Sequence, residues 1–163
     1  MAKPALVLLL YSTIACLSAS SSSSAHRFVM DTEHDLDSIQ VRSLDSLYEN
    51  HEKNTTNQIA LITTASYYPD SNILSYSVDK LRQLGLGRRD INNGLIIVFS
   101  KANREVRIGT GYGTEKVLKD AYAKRIIDSL MIPEFKNDHI FNGLWLGSKT
   151  IVDFLERPEN RIK

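Results

Sequence analysis

Residues 94–100 read Gly-Leu-Ile-Ile-Val-Phe-Ser, and this apolar run indicates where the centre of the fold lies. A continuous run of large apolar side chains is typical of a strand that is covered on both faces. A turn at 101–103 follows, and Glu-Val-Arg-Ile-Gly at 105–109 alternates between polar and apolar side chains. The alternation predicts an antiparallel partner, so the two segments form a hairpin that includes a buried central strand.

Helices are predicted before and after this hairpin. Asp37 and Gln40 have the spacing of a capping box, which predicts a helix start directly after Asp37, and Pro133 is expected to end a later helix. Apolar residues recur at helical spacing in segments 38–53, 74–84, 121–131 and 141–155. A further strand is predicted at 58–64, and 27–30 is interpreted as a short entry strand or a hydrophobic staple. One core is predicted to contain Ile59, Leu61, Ile96, Val98 and Trp145. Helices that flank a small mixed β-sheet make an α/β fold, a three-layer α/β/α sandwich.

The first residues have the pattern of a signal peptide, predicted over 1–16. Lys3 precedes an apolar stretch that is too short to span a membrane. A small residue directly before Cys16 resembles a bacterial lipobox, which predicts lipid attachment at Cys16 and an anchor in the membrane. The protein is therefore expected to be extracytoplasmic, in the periplasm or at the cell surface. The alternative is a secreted protein that is cleaved after Ala19 or Ala25.

The remainder of the chain is predicted to be one domain. Residues 17–27 are rich in serine and are expected to form a flexible tether. The domain is predicted over 28–157 and a short tail over 158–163. The whole chain has 163 residues, which is enough for one ordinary domain with a core but not for two.

Charge and cysteine content exclude several classes of function. The chain has 20 Lys and Arg against 19 Asp and Glu, so it lacks the concentrated positive charge that nucleic acid binding requires. Cys16 is the single cysteine and lies in the predicted leader. An intrachain disulfide, a cysteine zinc site and a cysteine nucleophile in the domain are therefore excluded.

Several polar residues are better explained by structure than by catalysis. Asp35-Leu36-Asp37 is similar to the signature of haloacid-dehalogenase phosphatases, but it precedes a helix instead of ending a buried strand, and helix capping accounts for it better. The histidines are scattered singly among polar neighbours and are predicted to lie at the surface. They are His26, His34, His51 and His139.

Carboxylate and amide side chains occur beside the glycine-rich segment 109–113, which is expected to be a loop whose glycines permit positive φ and close backbone approach. Such oxygen ligands suit Ca²⁺ or, less well, Mg²⁺, which demands stricter geometry. The candidate metal ligands, whose side chains are expected to meet at one edge of the sheet, are Asp31, Asp90, Asn92, Glu115 and Asp120. The alternative is structural, with Asp120 as a helix N-cap, Asn93-Gly94 as a turn and the glycines serving tight geometry.

An ordered series of short motifs connects these residues to a known family. The motifs are Asn92-Asn93-Gly94, Gly109-Thr110-Gly111-Tyr112-Gly113-Thr114-Glu115, Leu118-Lys119-Asp120, Ile132-Pro133-Glu134-Phe135 and Gly143. In this order they resemble the TPM domain family over roughly residues 28–157. The resemblance implies the α/β/α sandwich, membrane-associated placement, calcium binding in some members and an acid phosphatase activity attributed to a plant member.

These observations predict a membrane-tethered, calcium-binding interaction module that assists the assembly or repair of a membrane protein. No nucleic acid partner is expected. The alternative is a weak metal-dependent acid phosphatase acting on phosphomonoesters. For that alternative the sequence offers no recognised nucleophile and base, and its candidate phosphate partners are Arg88, Arg89, Arg104 and Arg107.

Overall fold

The structure is a computed structural model that describes residues 28–162. The predicted signal peptide, Cys16 and the predicted serine-rich tether lie outside the described residues. In chain order the strands are β1 (Val29–Asp31), β2 (Gln58–Thr63), β3 (Gly94–Ser100) and β4 (Glu105–Thr110). The helices are α1 (Ser38–Thr55), α2 (Ile73–Gln83), α3 (Tyr112–Val117), α4 (Asp120–Ile126), α5 (Ile132–Lys136) and α6 (Ile140–Leu155). A short 3₁₀ helix follows at Pro158–Asn160.

The strands form one mixed sheet in the order β1-β2-β3-β4. β1 and β2 run parallel, β2 and β3 run parallel, and β4 returns antiparallel to β3. Every residue of β3 is buried, which confirms the prediction that 94–100 is the central strand of a mixed sheet. Alternate side chains of β3 enter different cores, since successive residues of a strand point to opposite faces.

The two faces of the sheet are covered by different helices. Leu95 and Ile97 belong to the larger core, together with residues of α1 and α6, whereas Ile96 and Val98 pack with Tyr76 of α2. This arrangement is the predicted α/β/α sandwich. The prediction of one shared core was wrong, because the sheet itself separates Ile96 and Val98 from the larger core.

Helix boundaries follow local chemistry, with one exception. Oδ1 of Asp37 accepts hydrogen bonds from the N–H groups of Ile39 and Gln40 at 2.7 and 2.8 Å, so the predicted capping box at the start of α1 is present. Pro133 does not end the helical segment as predicted. A π-helical turn at Ile127–Met131 joins α4 to α5, and Pro133 stands in the first turn of α5, where its missing N–H is tolerated.

The two ends of the sheet are distinguished by the direction of its parallel strands. The carboxyl edge is the end at which β1, β2 and β3 finish, at Asp31, Thr63 and Ser100. The amino edge is the opposite end, where β2 and β3 begin at Gln58 and Gly94 and where β4 finishes. None of the described helices has the length and apolar character of a membrane-spanning segment.

Hydrogen-bonded polar side chains, one of them a histidine, connect α1 with α6 and the residue that follows it. His51 is fully buried, so its predicted surface location was wrong. Its Nδ1 atom lies 3.1 Å from Oε1 of Glu156, and the Tyr48 hydroxyl lies 2.6 Å from the hydroxyl of Ser148. Burial lowers the pKa of His51 below its ordinary value of 6.5, although the hydrogen bond and charge of Glu156 act in the opposite direction.

We expect the protein to lose stability as the pH falls below 6.5, because the unfolded state then binds the His51 proton more readily than the folded state. The slope is at most about 1.4 kcal/mol of unfolding free energy per pH unit for one group. Urea unfolding of the wild type and His51→Gln between pH 7.5 and 5.5 measures it. His34→Gln, at an exposed position, is the control, and equal slopes in all three proteins would contradict the assignment.

Candidate functional site

The glycine-rich segment and the loop before β3 are held together at the amino edge by backbone hydrogen bonds. The N–H of Gly113 donates to the carbonyl of Asn92 at 3.0 Å, and the N–H of Gly111 donates to the carbonyl of Gly94 at 2.9 Å. The Thr114 hydroxyl also donates to the Gly94 carbonyl, at 3.0 Å. The chain therefore enters α3 in direct contact with the start of the central strand.

Gly111 and Gly113 are explained by the close approach of backbone carbonyl groups, and not by unusual backbone angles. A Cβ atom at Gly113 would overlap the carbonyl oxygen of Ile91, and one at Gly111 would lie 2.5 Å from the carbonyl oxygen of Asn92. Neither glycine has positive φ, so that part of the sequence prediction was wrong. The segment was also expected to be a loop, but α3 begins within it at Tyr112.

Asn93 fixes this region from inside the fold. It is fully buried, its Oδ1 atom accepts a hydrogen bond from the N–H of Arg88 at 2.8 Å, and its Nδ2 atom donates to the carbonyl of Thr56 at 2.9 Å. Nδ2 also donates to Oδ1 of Asn57 at 2.9 Å. One side chain therefore connects the loop after α1 with the loop before β3, which is a structural role.

A cavity of about 540 Å³ opens beside these loops. Its wall carries charges of both signs, from Asp90, Lys116, Glu159 and Arg161, next to Asn92. Tyr112, on the same wall, is 77% exposed. Opposite charges around a cavity, with an aromatic side chain at its rim, suit the binding of a ligand or peptide that has both polar and apolar groups.

The predicted metal ligands are divided between the two ends of the sheet. Asp90 and Asn92 line the cavity at the amino edge. Glu115 and Asp120 belong to α3 and α4 and are exposed, but neither lines that cavity. Asp31 ends β1 and therefore lies at the carboxyl edge. The expectation that these carboxylates meet at one edge of the sheet was wrong.

Asp31 has a structural explanation of its own. Its carboxylate accepts hydrogen bonds from the N–H groups of Asp35 and Leu36 at 3.2 and 3.0 Å and from the hydroxyl of Thr63. These bonds fix the turn between β1 and α1.

The alternative prediction for Asp120, a helix N-cap, was wrong. Lys119 occupies the N-cap position of α4, and Asp120 is the first helical residue.

The donor set does not make a preformed calcium site. Within residues 28–162 no group of three or more His, Cys, Asp or Glu side chains is placed to hold a metal ion. The carboxylate of Asp90 is also paired with the guanidinium of Arg88, at 2.7 and 3.2 Å. A cation at this edge would have to compete with Arg88 and complete its coordination with Asn92, backbone carbonyls or water.

The predicted phosphate partners do not converge. Arg88 pairs with Asp90, Arg107 donates from Nε to the Ser77 hydroxyl at 3.1 Å, and Arg104 lies in the β3–β4 turn at the other end of the sheet. The cations that line the cavity are Lys116 and Arg161 instead. Neither cation was predicted from the sequence, and Arg161 falls in the segment interpreted as a tail.

The structure is thus an α/β domain with a charged cavity at the amino edge of its sheet. Comparison with known proteins identifies the family of this domain. The family model of the TPM domain matches residues 29–154. The chain belongs to the TPM domain family, as the ordered motifs predicted. A comparison with curated proteins gives no match.

Solved structures show the same fold. The N-terminal domain of a protein from P. gingivalis is 28% identical, with a TM-score of 0.75, and the match covers 86% of this chain and 89% of that chain. The BA42 protein of the psychrophilic bacterium Bizionia argentinensis is 18% identical, with a TM-score of 0.64 over 76% of this chain and 83% of that chain. The N-terminal domain of the cg2496 protein of Corynebacterium glutamicum is 12% identical, with a TM-score of 0.61 over 83% and 84%.

Proposed function

We propose that this chain is an extracytoplasmic interaction module, tethered to the membrane by a lipid on Cys16, that binds a membrane protein and assists its assembly or repair. The observation that carries the proposal is the cavity at the amino edge, with Tyr112 exposed on its wall. Aromatic side chains are enriched at the centres of protein interfaces because they bury a large area with few rotatable bonds. The lipobox-like sequence before the serine-rich segment supports the tether.

A photo-crosslinking amino acid at position 112 tests the interaction in intact membranes. We expect it to capture one membrane protein, and we expect Tyr112→Ala to reduce co-purification of that protein at least tenfold. Tyr68 is 87% exposed and follows β2 at the carboxyl edge, so the same changes at position 68 are the matched control. Equal crosslinking from both positions would argue against the amino edge as the binding surface.

The tether is tested separately. Cys16→Ser should release the protein from the membrane fraction, because the lipid is attached through the thiol. A mature protein that begins at Ser20 or His26 would instead support secretion without an anchor.

We further propose that Asp90 and Asn92 bind Ca²⁺ weakly at the amino edge. Oxygen ligands of this kind suit Ca²⁺ better than Mg²⁺, and a cation that binds only the folded state raises its melting temperature. We expect millimolar Ca²⁺ to raise the melting temperature of the wild type, with a smaller effect of Mg²⁺. Asp90→Asn should reduce the calcium effect.

Asp31→Asn is the control for that experiment. It should lower stability without metal by roughly 1–3 kcal/mol, because an amide N–H₂ group then faces a backbone N–H that has lost its acceptor. Its response to calcium should equal that of the wild type. An unchanged calcium shift in Asp90→Asn would remove Asp90 as a ligand, and no shift in any protein would remove calcium from the proposal.

A weak phosphatase is the second candidate, favoured by Lys116 and Arg161 on the same cavity wall as Asp90. These cations could hold a phosphoryl group and stabilise the negative charge that develops on it during transfer. We expect turnover of a phosphomonoester to be weak or absent at neutral pH. A purified protein with kcat on the order of 10 s⁻¹, lost in Arg161→Met, would make this candidate the function.

A further inference from the structure

Two positively charged side chains on the wall of the amino-edge cavity have no partner of opposite charge within the described part of the chain. Lys116 belongs to α3, and Arg161 follows the 3₁₀ helix at 158–160. Neither side chain makes an ion pair with a carboxylate of residues 28–162. Two such cations on the wall of one cavity indicate that this cavity accepts an anionic group.

The carboxylates on the same wall do not cancel this charge. Asp90 is already balanced by the guanidinium of Arg88, at 2.7 and 3.2 Å. Glu159 is the remaining carboxylate on the wall. Two cations and one unpaired carboxylate leave the wall positive, and one negative group on a ligand would restore the balance.

Arg161 is held at the wall by the residues on either side of it. Nδ2 of Asn160 donates to the carbonyl of Phe154 at 2.9 Å, and the N–H of Asn160 donates to the carbonyl of Arg157 at 2.9 Å. Ile162 packs against the larger core. A cation on a backbone that is already fixed loses less entropy when it binds a ligand. These residues follow the segment that matches the family, which ends at 154, so they are a feature of this chain.

Lys116 belongs to an element that is fixed on both sides. The N–H of Glu115 donates to the carbonyl of Gly111 at 2.9 Å, and the N–H of Leu118 donates to the carbonyl of Thr114 at 2.8 Å. Leu118 is fully buried in the larger core. The two cations of the cavity therefore come from separate parts of the chain, and both parts are held in place before a ligand arrives.

Apolar side chains stand on the same wall as the cations, from Ile91, Val117 and Ile162. The carboxylate at the end of a polypeptide lies next to the side chain of its last residue, so a chain end presents an anion beside an apolar group. The carboxylate of an internal Asp or Glu stands alone at the tip of its side chain. The volume of about 540 Å³ is in the range of cavities that enclose small ligands.

We infer that this cavity binds the carboxyl terminus of a partner protein, with the terminal carboxylate on Lys116 and Arg161 and an aliphatic last side chain on the apolar part of the wall. Charged hydrogen bonds to a carboxylate are strong, and the planar guanidinium of an arginine can make two of them in parallel. Capture of a chain-terminal carboxylate is a recurring mode of peptide recognition. The inference rests on the proposed function, because it specifies which part of the partner the interaction surface takes.

A ligand series tests the inference on the purified full chain by NMR titration. The probes are the peptide acetyl-Ala-Ala-Ala-Leu with a free carboxylate, the same peptide with a terminal amide, N-acetyl-L-leucine and inorganic phosphate. We expect the free acid to give saturable shifts of the Lys116 amide and Arg161 Nε–H signals at millimolar concentration. The amide lacks the charge, N-acetyl-L-leucine lacks the preceding residues and phosphate lacks the apolar group, so each should bind at least tenfold more weakly.

Variants with matched controls separate specific binding from general attraction. Lys116→Met and Arg161→Met should each weaken binding of the free acid at least tenfold and leave binding of the amide unchanged. Lys119→Met and Arg157→Met remove the same charge from neighbouring positions that do not line the cavity. Lys119 is the N-cap residue of α4, and the Arg157 guanidinium lies 5.7 Å from the centre of the Phe154 ring. Both control proteins should bind the free acid as the wild type does.

Each contrary result overturns the inference. Absence of saturable shifts with the free acid would do so, as would equal binding of the acid and the amide. Equal weakening in the control variants would reduce the effect to general charge attraction. N-acetyl-L-leucine or phosphate binding as tightly as the peptide would make the cavity a site for small anions.

Crosslinking from position 112 judges the proposed function separately. A membrane protein captured there, together with a negative peptide series, would overturn this inference and leave the interaction module in place. Binding of the free acid without such a capture would support the inference and count against a membrane protein as the partner.

Discussion

Val98→Asp is expected to unfold the domain. Val98 is fully buried in β3 and faces the smaller core beneath α2, where its cross-strand partner Arg107 already donates from Nε to the Ser77 hydroxyl. Desolvating a carboxylate in such a place costs more than an ion pair with a half-buried arginine restores, and we expect a loss above about 4 kcal/mol. Circular dichroism and thermal melting of the purified variant measure the effect.

Val78→Asp is the matched control, because Val78 lies on α2 above the same core but is 37% exposed. We expect this variant to remain folded, with a loss of less than about 1 kcal/mol, since an exposed carboxylate keeps its water. A Val98→Asp protein that melts cooperatively near the wild-type temperature would contradict the central position of β3. Unfolding of both variants would show only that the smaller core tolerates no charge.

The second large effect is expected for Gly113→Ala. The new methyl group would overlap the Ile91 carbonyl oxygen, which belongs to the backbone and cannot move away as a flexible side chain could. The hydrogen bond between the Gly113 N–H and the Asn92 carbonyl would lengthen or break. We expect a loss of roughly 1–3 kcal/mol, or more if α3 separates from the loop before β3.

Gly109→Ala provides the comparison within the same segment. A Cβ atom at Gly109 would lie 3.1 Å from Cγ2 of Ile96, a contact with a side chain that can shift slightly. Urea unfolding should therefore rank the losses with Gly113→Ala above Gly109→Ala. The reverse order would contradict the close approach that we assign to Gly113. Reduced crosslinking from position 112 in Gly113→Ala would connect this packing to partner binding.

Local patterns were sufficient to predict most of the fold. The apolar run 94–100 needed no knowledge of its neighbours, because a strand buried on both faces is apolar throughout. The capping box at Asp37 was equally local. Pro133 was misinterpreted because the π-helical turn before it changes the hydrogen-bond register, and that turn depends on packing against α6.

The candidate site was less predictable because it depends on strand direction. Asp31 ends a strand, whereas Asp90 and Asn92 precede one, and in parallel strands these positions lie at opposite ends. That consequence could have been drawn from the predicted topology. The contribution of Arg161 could not, because no local pattern indicates that residues after α6 return to the start of β3.

The lateral borders of the sheet determine from which direction another chain can approach. The outermost strands of the sheet are β1 and β4. β1 has only three residues available for pairing, and β4 includes the charged residues Glu105 and Arg107. Short border strands and charged border residues discourage a foreign strand from joining a sheet. Growth of the sheet sideways into fibres or swapped dimers is thereby resisted. Strand addition at these borders is therefore disfavoured, whereas the loops, helix ends and helix faces keep their side chains accessible.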